Sequence, residues 1–474
     1  MTLDTFRFDV KIARRILQVS FPLMGSMVGN LLMILVDRIC LARYSSDTLA
    51  ASVPATFTAE TFIVVCTATV GFSRSCVAQA FGRSGLTAAA QQSAVGILLG
   101  AGCALVLILA APLIELIPFL SGRPAAIKEL ESQFLFWAAQ FGAVMTLNMS
   151  LVAYFNGIGR TRITLLAGLV GQGVTICMTI GLVFGKYSLP ELGMRGSALG
   201  TLSGTLAILA VYLLNMPQEV WRTLWQLIRR HQRTVWMTIG SRFRQGFPLG
   251  TYAGANMLGN TAFVWIIASL GAIGLAANNI NVSLNYLAIV PLSGLGVGCS
   301  VLCGNALGAN DYGRIYRIIF VTLCIEMLYI APVSFLEITT PRLLLGLFGL
   351  SDKPGEIQSA AAATSQVLWL FSVAFAFSMT GSAVLESFGL TKFPVITRVI
   401  IMWGLSIPTV YLVASRHRGH ADFLPGCWII GALFEGMIGA LYFWRIRIAV
   451  KNRQNKIIFP ADDAIIVESP GTAG

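Results

Sequence analysis

Twelve apolar stretches, each long enough to cross a lipid bilayer, follow one another along this chain with short polar connections between them. They lie near residues 17–43, 48–80, 88–118, 130–157, 162–187, 192–216, 245–271, 273–307, 314–338, 358–388, 392–415 and 424–446. A helix needs about 20 apolar residues to span the hydrocarbon core, and several stretches are long enough to tilt or to extend past it. Composition closes off the soluble alternative. Charged residues make up 11% of the 474, against about 25% in an ordinary soluble domain, too few to coat a water-facing surface of this size. The pattern predicts an all-α polytopic membrane protein of twelve transmembrane helices.

The net charge is +12, which in a soluble protein would suggest nucleic acid. Here the cations sit at helix ends and between helices, and no nucleic-acid motif accompanies them. With the N-terminus inside, most Lys and Arg residues fall in inner connections. By the positive-inside rule this places both termini in the cytoplasm of a multi-pass protein of the cell (inner) membrane. The N-terminus reads as uncleaved, since residues 1–15 are polar and basic and no small-residue cleavage site follows the first apolar stretch. The division expected is a cytoplasmic N-terminus (1–16), a six-helix bundle (17–216), a basic cytoplasmic linker (217–244), a second six-helix bundle (245–448) and a cytoplasmic tail (449–474). Trp221, Trp225 and Trp236 stand among the linker arginines, a composition that suits an amphipathic helix on the inner leaflet.

The nine cysteines lie in or beside apolar segments, where they pack as small residues rather than form a disulfide framework. Cys299 and Cys303 are one turn apart, but neither His nor a further Cys completes a metal site. No cofactor is expected. The run Gly294-Leu295-Gly296-Val297-Gly298 lies within an apolar helix and lacks the strand and Lys-Ser/Thr of a phosphate loop, so nothing points to ATP as the energy source.

The two halves repeat. A shift of 226 positions places Phe21-Pro22-Leu23 on Phe247-Pro248-Leu249, Asn30 on Asn256, Leu49-Ala50-Ala51 on Leu275-Ala276-Ala277, and Ala80 and Gly82 on Ala306 and Gly308. An even-numbered repeat returns the chain to the same side, so both halves run in the same sense around an axis along the membrane normal. Two parallel-repeat six-helix bundles then flank a central cavity, an architecture for alternating access.

Several segments resemble the multidrug and toxic compound extrusion (MATE) family in order and spacing. They are Val36-Asp37 followed by Leu49-Ala50-Ala51, Ala78-Gln79-Ala80-Phe81-Gly82 with its counterpart Gly304-Asn305-Ala306-Leu307-Gly308, Asn156-Gly157-Ile158-Gly159-Arg160-Thr161-Arg162, and Pro190 through Ala198. The resemblance covers about residues 15–450. It implies export of organic, often cationic, small molecules in exchange for protons or sodium ions, and no enzymatic activity.

An ionisable group at membrane depth costs about 2.5–3.5 kcal/mol or more and is a functional hypothesis by default. Asp37 matches the family's helix-one aspartate, implicated in cation coupling. Asn30, seven residues earlier, lies on nearly the same helix face. The alternative for Asp37 is a salt bridge to Arg38, although adjacent residues do not face each other on a helix. Pro22 interrupts the same helix; a kink there corresponds to the bending that the family ties to cation binding, while a proline near a helix start can merely shape it. The sodium-coupled branch's helix-seven carboxylate aligns with Asn256, and another branch's helix-five Asn and Asp align with Thr175 and Thr179. So few hard oxygen ligands disfavour a sodium cage, and protons are the expected coupling ion.

Asn278, Asn281 and Asn285 share one face of helix eight, with Tyr286 beside them. A polar stripe must face protein or water, so it lines the cavity or binds helices together. Gln172 and Glu60 are further substrate-cavity candidates. Glu326 and Glu435 read as interhelical partners, with Arg74 and Arg398 available to them, while Glu386, close to the inner end of its helix, reads as solvated. The expected partners are thus organic substrates, protons and the bilayer, with the chain a monomer. The main alternative is a lipid or lipid-linked oligosaccharide flippase of the same superfamily, which would carry a more basic cavity. The loop after helix two, Phe81 through Leu86, lacks the charged motif of a major facilitator. No catalytic pair or H-E-x-x-H motif supports an intramembrane enzyme.

Overall fold

The structure, a computed structural model, describes residues 8–120, 125–229, 232–346 and 355–455. The expected tail beyond residue 455 lies outside that set. The chain forms helices α1 (Val10–Tyr44), α2 (Ser46–Gly71), α3 (Ser73–Glu115), α4 (Ala125–Gly157), α5 (Thr161–Phe184), α6 (Met194–Asn215), α7 (Gln218–Arg229), α8 (Gln232–Ala268), α9 (Gly271–Gly308), α10 (Tyr312–Thr339), α11 (Pro341–Gly346), α12 (Glu356–Ser387), α13 (Lys392–Ile401), α14 (Ile407–Arg416) and α15 (Leu424–Asn455). A π-helical turn, Met402–Ser406, joins α13 to α14 just before Pro408, whose missing N–H and bulky ring do not fit a regular helix interior.

Among the described residues, nine segments are long and apolar enough to cross a membrane. One of them, Pro54–Phe119, contains two passes. Gly85 takes φ +75° within α3, a conformation that costs a residue with a Cβ about 1–2 kcal/mol, and the chain doubles back there. Ser73 lies against Gly96, and Val70 packs with Leu99 and Cys103. With α1 and α8, of 35 and 37 residues, the count is consistent with twelve passes. Leu109, Leu113, Leu214, Trp265 and Leu328 are exposed, as residues facing lipid should be.

Both ends of the described chain lie at the same end of the bundle. Ile12, Ala13 and Ile16 of α1 share one apolar cluster with Ile446, Ala449 and Val450 of α15. This end is called the terminal end below.

The helices reach further than the apolar stretches. The first begins at Val10 rather than near 17, and α8 begins at Gln232, inside the expected linker of 217–244. Lys, Arg and Gln are good helix formers, so a helix can project past the lipid without a change of structure. The remainder of the linker is α7. Its Val220, Leu224 and Leu227 are buried, and Leu224 and Leu227 pack with Ala94 and Val95 of α3. Trp225 and Ile228 stay exposed.

The sequence repeat is visible as a two-fold relation between the halves. Gly82 abuts the backbone carbonyl of Asn305, and Gly308 abuts that of Gln79. The 226-residue shift carries Gln79 to Asn305 and Gly82 to Gly308, so the two contacts are one contact made twice. Gly304 packs on Ala78, its own counterpart, which puts that pair on the axis. Likewise Ser20 of α1 lies against Gly298 of α9, while Gly246 of α8, the counterpart of Ser20, lies against Thr69 and Phe72. Small residues let backbones approach where apolar side chains gain nothing over lipid. A side chain at Gly82 or Gly308 would push the two halves apart.

Candidate functional site

Asp37 projects from the far half of α1 and is half-buried. Ser197 Oγ, near the start of α6, donates to its Oδ1 at 2.6 Å. Among the described residues Asp37 forms no ion pair. Arg38 points outward and is exposed, as expected of adjacent helical positions, so the salt-bridge alternative is not realised. Asn30 is exposed, whereas Gln172 of α5 reaches α1 one turn earlier, its Nε2 donating to the Ser26 carbonyl at 3.0 Å.

Pro22 is buried and stands more than three turns into α1, which begins at Val10. The reading of Pro22 as shaping a helix start is thereby corrected. It is an interior proline that removes a backbone hydrogen bond, and Pro248 does the same in α8.

Thr175 and Thr179 are buried. Thr175 Oγ1 donates to the Gly171 carbonyl at 2.9 Å, and both threonines lie against glycines of α6, Gly204 and Gly200. They belong to a tight α5–α6 contact rather than to an open wall. Glu60 of α2 is half-buried and makes no hydrogen bond with the described residues.

The asparagine stripe of α9 turns inward to its own bundle. Asn281 Nδ2 donates to the Ala277 carbonyl at 2.9 Å and to the Ala361 carbonyl of α12 at 3.2 Å. Asn278 Oδ1 accepts from Trp428 Nε1 of α15 at 3.1 Å, and Asn285 is 2% exposed. Of the two readings of this stripe, interhelical bonding is the one the geometry displays. Tyr286, one residue on, is exposed.

A second buried polar centre, not assembled from the sequence, lies in the half formed by α8–α15. Arg398 of α13 grips Glu435 of α15 in a bidentate pair at 2.8 and 3.0 Å, each side chain 9% exposed. Arg398 Nε also donates to Asn256 Oδ1 of α8 at 3.3 Å, and its guanidinium lies over the Tyr252 ring at 5.6 Å. Ser378 of α12 donates to Glu435 as well. In the same half, Thr380 Oγ1 donates to Glu326 Oε1 at 2.8 Å. The sequence signal was the set of glutamates in apolar stretches with Arg74 and Arg398 available to them; which glutamate meets which arginine is what the structure adds.

Across the two halves, Arg74 of α3 pairs with Glu386 of α12 at 2.9 Å, and Ser75 Oγ donates to the same carboxylate at 3.1 Å. Gln79 donates to the Ser387 carbonyl. Together with the Gly82–Asn305 and Gly308–Gln79 contacts, these bonds close the terminal end. Glu386, expected to be solvated near a helix end, is instead an interhelical partner.

The family model described as MatE matches this chain twice, over residues 22–180 and 254–412, once in each half. The probable multidrug resistance protein NorM of Burkholderia mallei is 26% identical over 437 residues, covering 90% of each chain. That of Aromatoleum aromaticum is 23% identical, covering 94% of this chain and 96% of its own. Among solved structures, an outward-facing conformation of a multidrug resistance MATE family transporter of the MOP superfamily aligns with a TM-score of 0.81 at 17% identity, over 93% of this chain and 96% of that one. A MATE in the straight conformation aligns with a TM-score of 0.81 at 18% identity, over 96% and 99%.

Proposed function

Because this chain belongs to the MATE family of membrane transporters, we propose that it is a multidrug efflux antiporter, exporting organic, often cationic, compounds in exchange for protons. It works as a monomer in the cell (inner) membrane with both termini in the cytoplasm, in two bundles of residues 17–216 and 245–448. The terminal end is then the cytoplasmic end, and the contacts that close it make this the outward-facing arrangement.

The observation that carries the reading is Asp37. It is a carboxyl group at membrane depth, half-buried, and among the described residues held by one hydroxyl and by no ion pair. Such a group can exchange a proton with water and bind a cationic substrate when charged. In the second half Glu435 is neutralised by Arg398, which disfavours a sodium cage built around it. Pro22 and Asn30 belong to the same helix, and bending at Pro22 would move the segment that carries Asp37. Gln172, Thr175 and Thr179 fix α5 beside it; Glu60, Asn256, Tyr286 and the α9 asparagines flank the substrate path or shape its walls.

The test is pH-gradient-driven transport of ethidium in proteoliposomes, comparing the natural chain with Asp37→Asn. The expected result is transport that sodium does not increase and that falls at least about 100-fold in the variant, while its thermal unfolding is unchanged. Wild-type activity in the variant would make Asp37 structural. If the natural chain moves no organic cation under either gradient, drug export fails, and flipping of a labelled lipid becomes the assay.

A further inference from the structure

The two-fold relation between the halves breaks at one place on the terminal end. In the first half, the groove between the start of α8 and α3 is filled by α7, whose Leu224 and Leu227 pack against Ala94, Val95, Val235 and Ile239. The 226-residue shift carries these four positions to Phe320, Val321, Asp9 and Ala13, at the groove between the starts of α10 and α1. No described segment fills that second groove. It holds a cavity of about 870 Å³, lined by Lys11, Arg14 and Arg15 of α1 and Arg314 and Arg317 of α10.

The chemistry of the groove is that of an anion site. Two carboxylates also line it, but both cap helices: Asp9 Oδ1 accepts from the Lys11 and Ile12 amides at 2.8 and 3.3 Å, and Asp311 Oδ1 from the Arg314 amide at 3.1 Å. The five cationic side chains are exposed, and none is paired with a carboxylate among the described residues. Arginine forks match phosphate oxygens two at a time. Ile12 lines the groove beside the cations and shares an apolar cluster with Ile16, Ile315 and Ile319, and the apolar stretches of both helices, from about residues 17 and 314, begin here. A surface of cations over apolar stems at the lipid boundary fits a molecule that is anionic at one end and apolar at the other.

We propose that this groove binds the phosphate headgroup of an anionic membrane phospholipid. Because α1 belongs to one half and α10 to the other, a bound headgroup bridges the halves and holds the terminal end closed.

Native mass spectrometry of the full chain, released from vesicles of phosphatidylcholine with 20 mol% phosphatidylglycerol, tests this. The fraction retaining phosphatidylglycerol should exceed that retaining phosphatidylcholine by about fivefold. This preference should vanish in Arg14→Gln/Arg15→Gln/Arg314→Gln/Arg317→Gln and persist in Arg222→Gln/Arg229→Gln, which removes two exposed cations of α7. Equal loss in both variants would mean general attraction to a basic face and would overturn the proposal. So would displacement of the lipid by inorganic phosphate at equal concentration, which marks a free-anion site. Retention that appears only after residues 456–474 are removed would make the chain's own acidic tail the occupant, with the same consequence.

Discussion

The halves share a repeat and a shape, yet two of their membrane carboxylates, Asp37 and Glu435, are held in opposite ways. In the first half, Asp37 is half-buried and, among the described residues, held by the Ser197 hydroxyl alone. In the second, Glu435 is gripped by both arms of Arg398 and further bonded by Ser378. The repeated asparagine follows the same division: Asn30 is exposed, whereas its counterpart Asn256 accepts from Arg398. Neutralising a clamped carboxylate strands a buried cation, while neutralising a loosely held one strands nothing. On the proposed mechanism Asp37 is therefore where charge changes during transport, and the Arg398–Glu435 clamp is part of the fixed wall against which it changes.

Three experiments bear on that contrast. The largest effect is expected at the clamp. Glu435→Gln leaves Arg398 without its counter-charge and should destabilise the protein by about 3–5 kcal/mol, read as a lowered thermal midpoint in detergent. The paired change Arg398→Met/Glu435→Leu should recover most of it, since apolar residues of similar volume often replace a buried pair at little cost. A double variant as unstable as the single one would mean that the pair carries more than its own charge balance.

The next effect is at the loose site. Ser197→Ala removes the hydroxyl that donates to Asp37, and a hydrogen bond to a charged group contributes about 1.5–3 kcal/mol. Initial rates of ethidium transport at fixed pH should change by about tenfold or more, with stability preserved. A rate within twofold of the natural chain would detach Ser197 from the function.

The smallest effect compares the repeated asparagines. Asn256→Ala should cost about 1 kcal/mol through its bond to Arg398, and Asn30→Ala, at an exposed position, less than about 0.5 kcal/mol. Equal costs would erase the difference between the halves at this position.

Much of the molecule was legible in advance because lipid is a simple solvent. Apolar length announces a helix, and the few interruptions announce its ends. Gly85 was part of the turn after helix two, and Pro22 with Pro248 and Gly82 with Gly308 were found at one offset; that the two halves meet at those glycines came from the structure. The candidate site was legible only as single residues. Asp37 stood out because a carboxylate in an apolar run is costly. Ser197 did not, because a serine in a helix of small residues is unremarkable until something faces it. The stripe of Asn278, Asn281 and Asn285 was correctly placed on one face, but periodicity does not say whether that face meets water or Ala361 and Trp428.

The sequence by itself determined that the chain is helical, polytopic and duplicated, because those properties follow from local hydropathy, from the backbone's need to satisfy its own hydrogen bonds in lipid, and from a repeat that comparison at one offset exposes. Only the tertiary structure decided which polar groups meet. Asp37 finds Ser197 160 positions away, and Arg74 finds Glu386 across the two halves at 312. α7 fills one groove while its counterpart groove stays lined with cations. Helices in a bilayer can rotate about their axes without changing their hydropathy, and it is that rotation, set by packing among small residues, that clamps Glu435 to Arg398 in one half and leaves Asp37 on the Ser197 hydroxyl in the other.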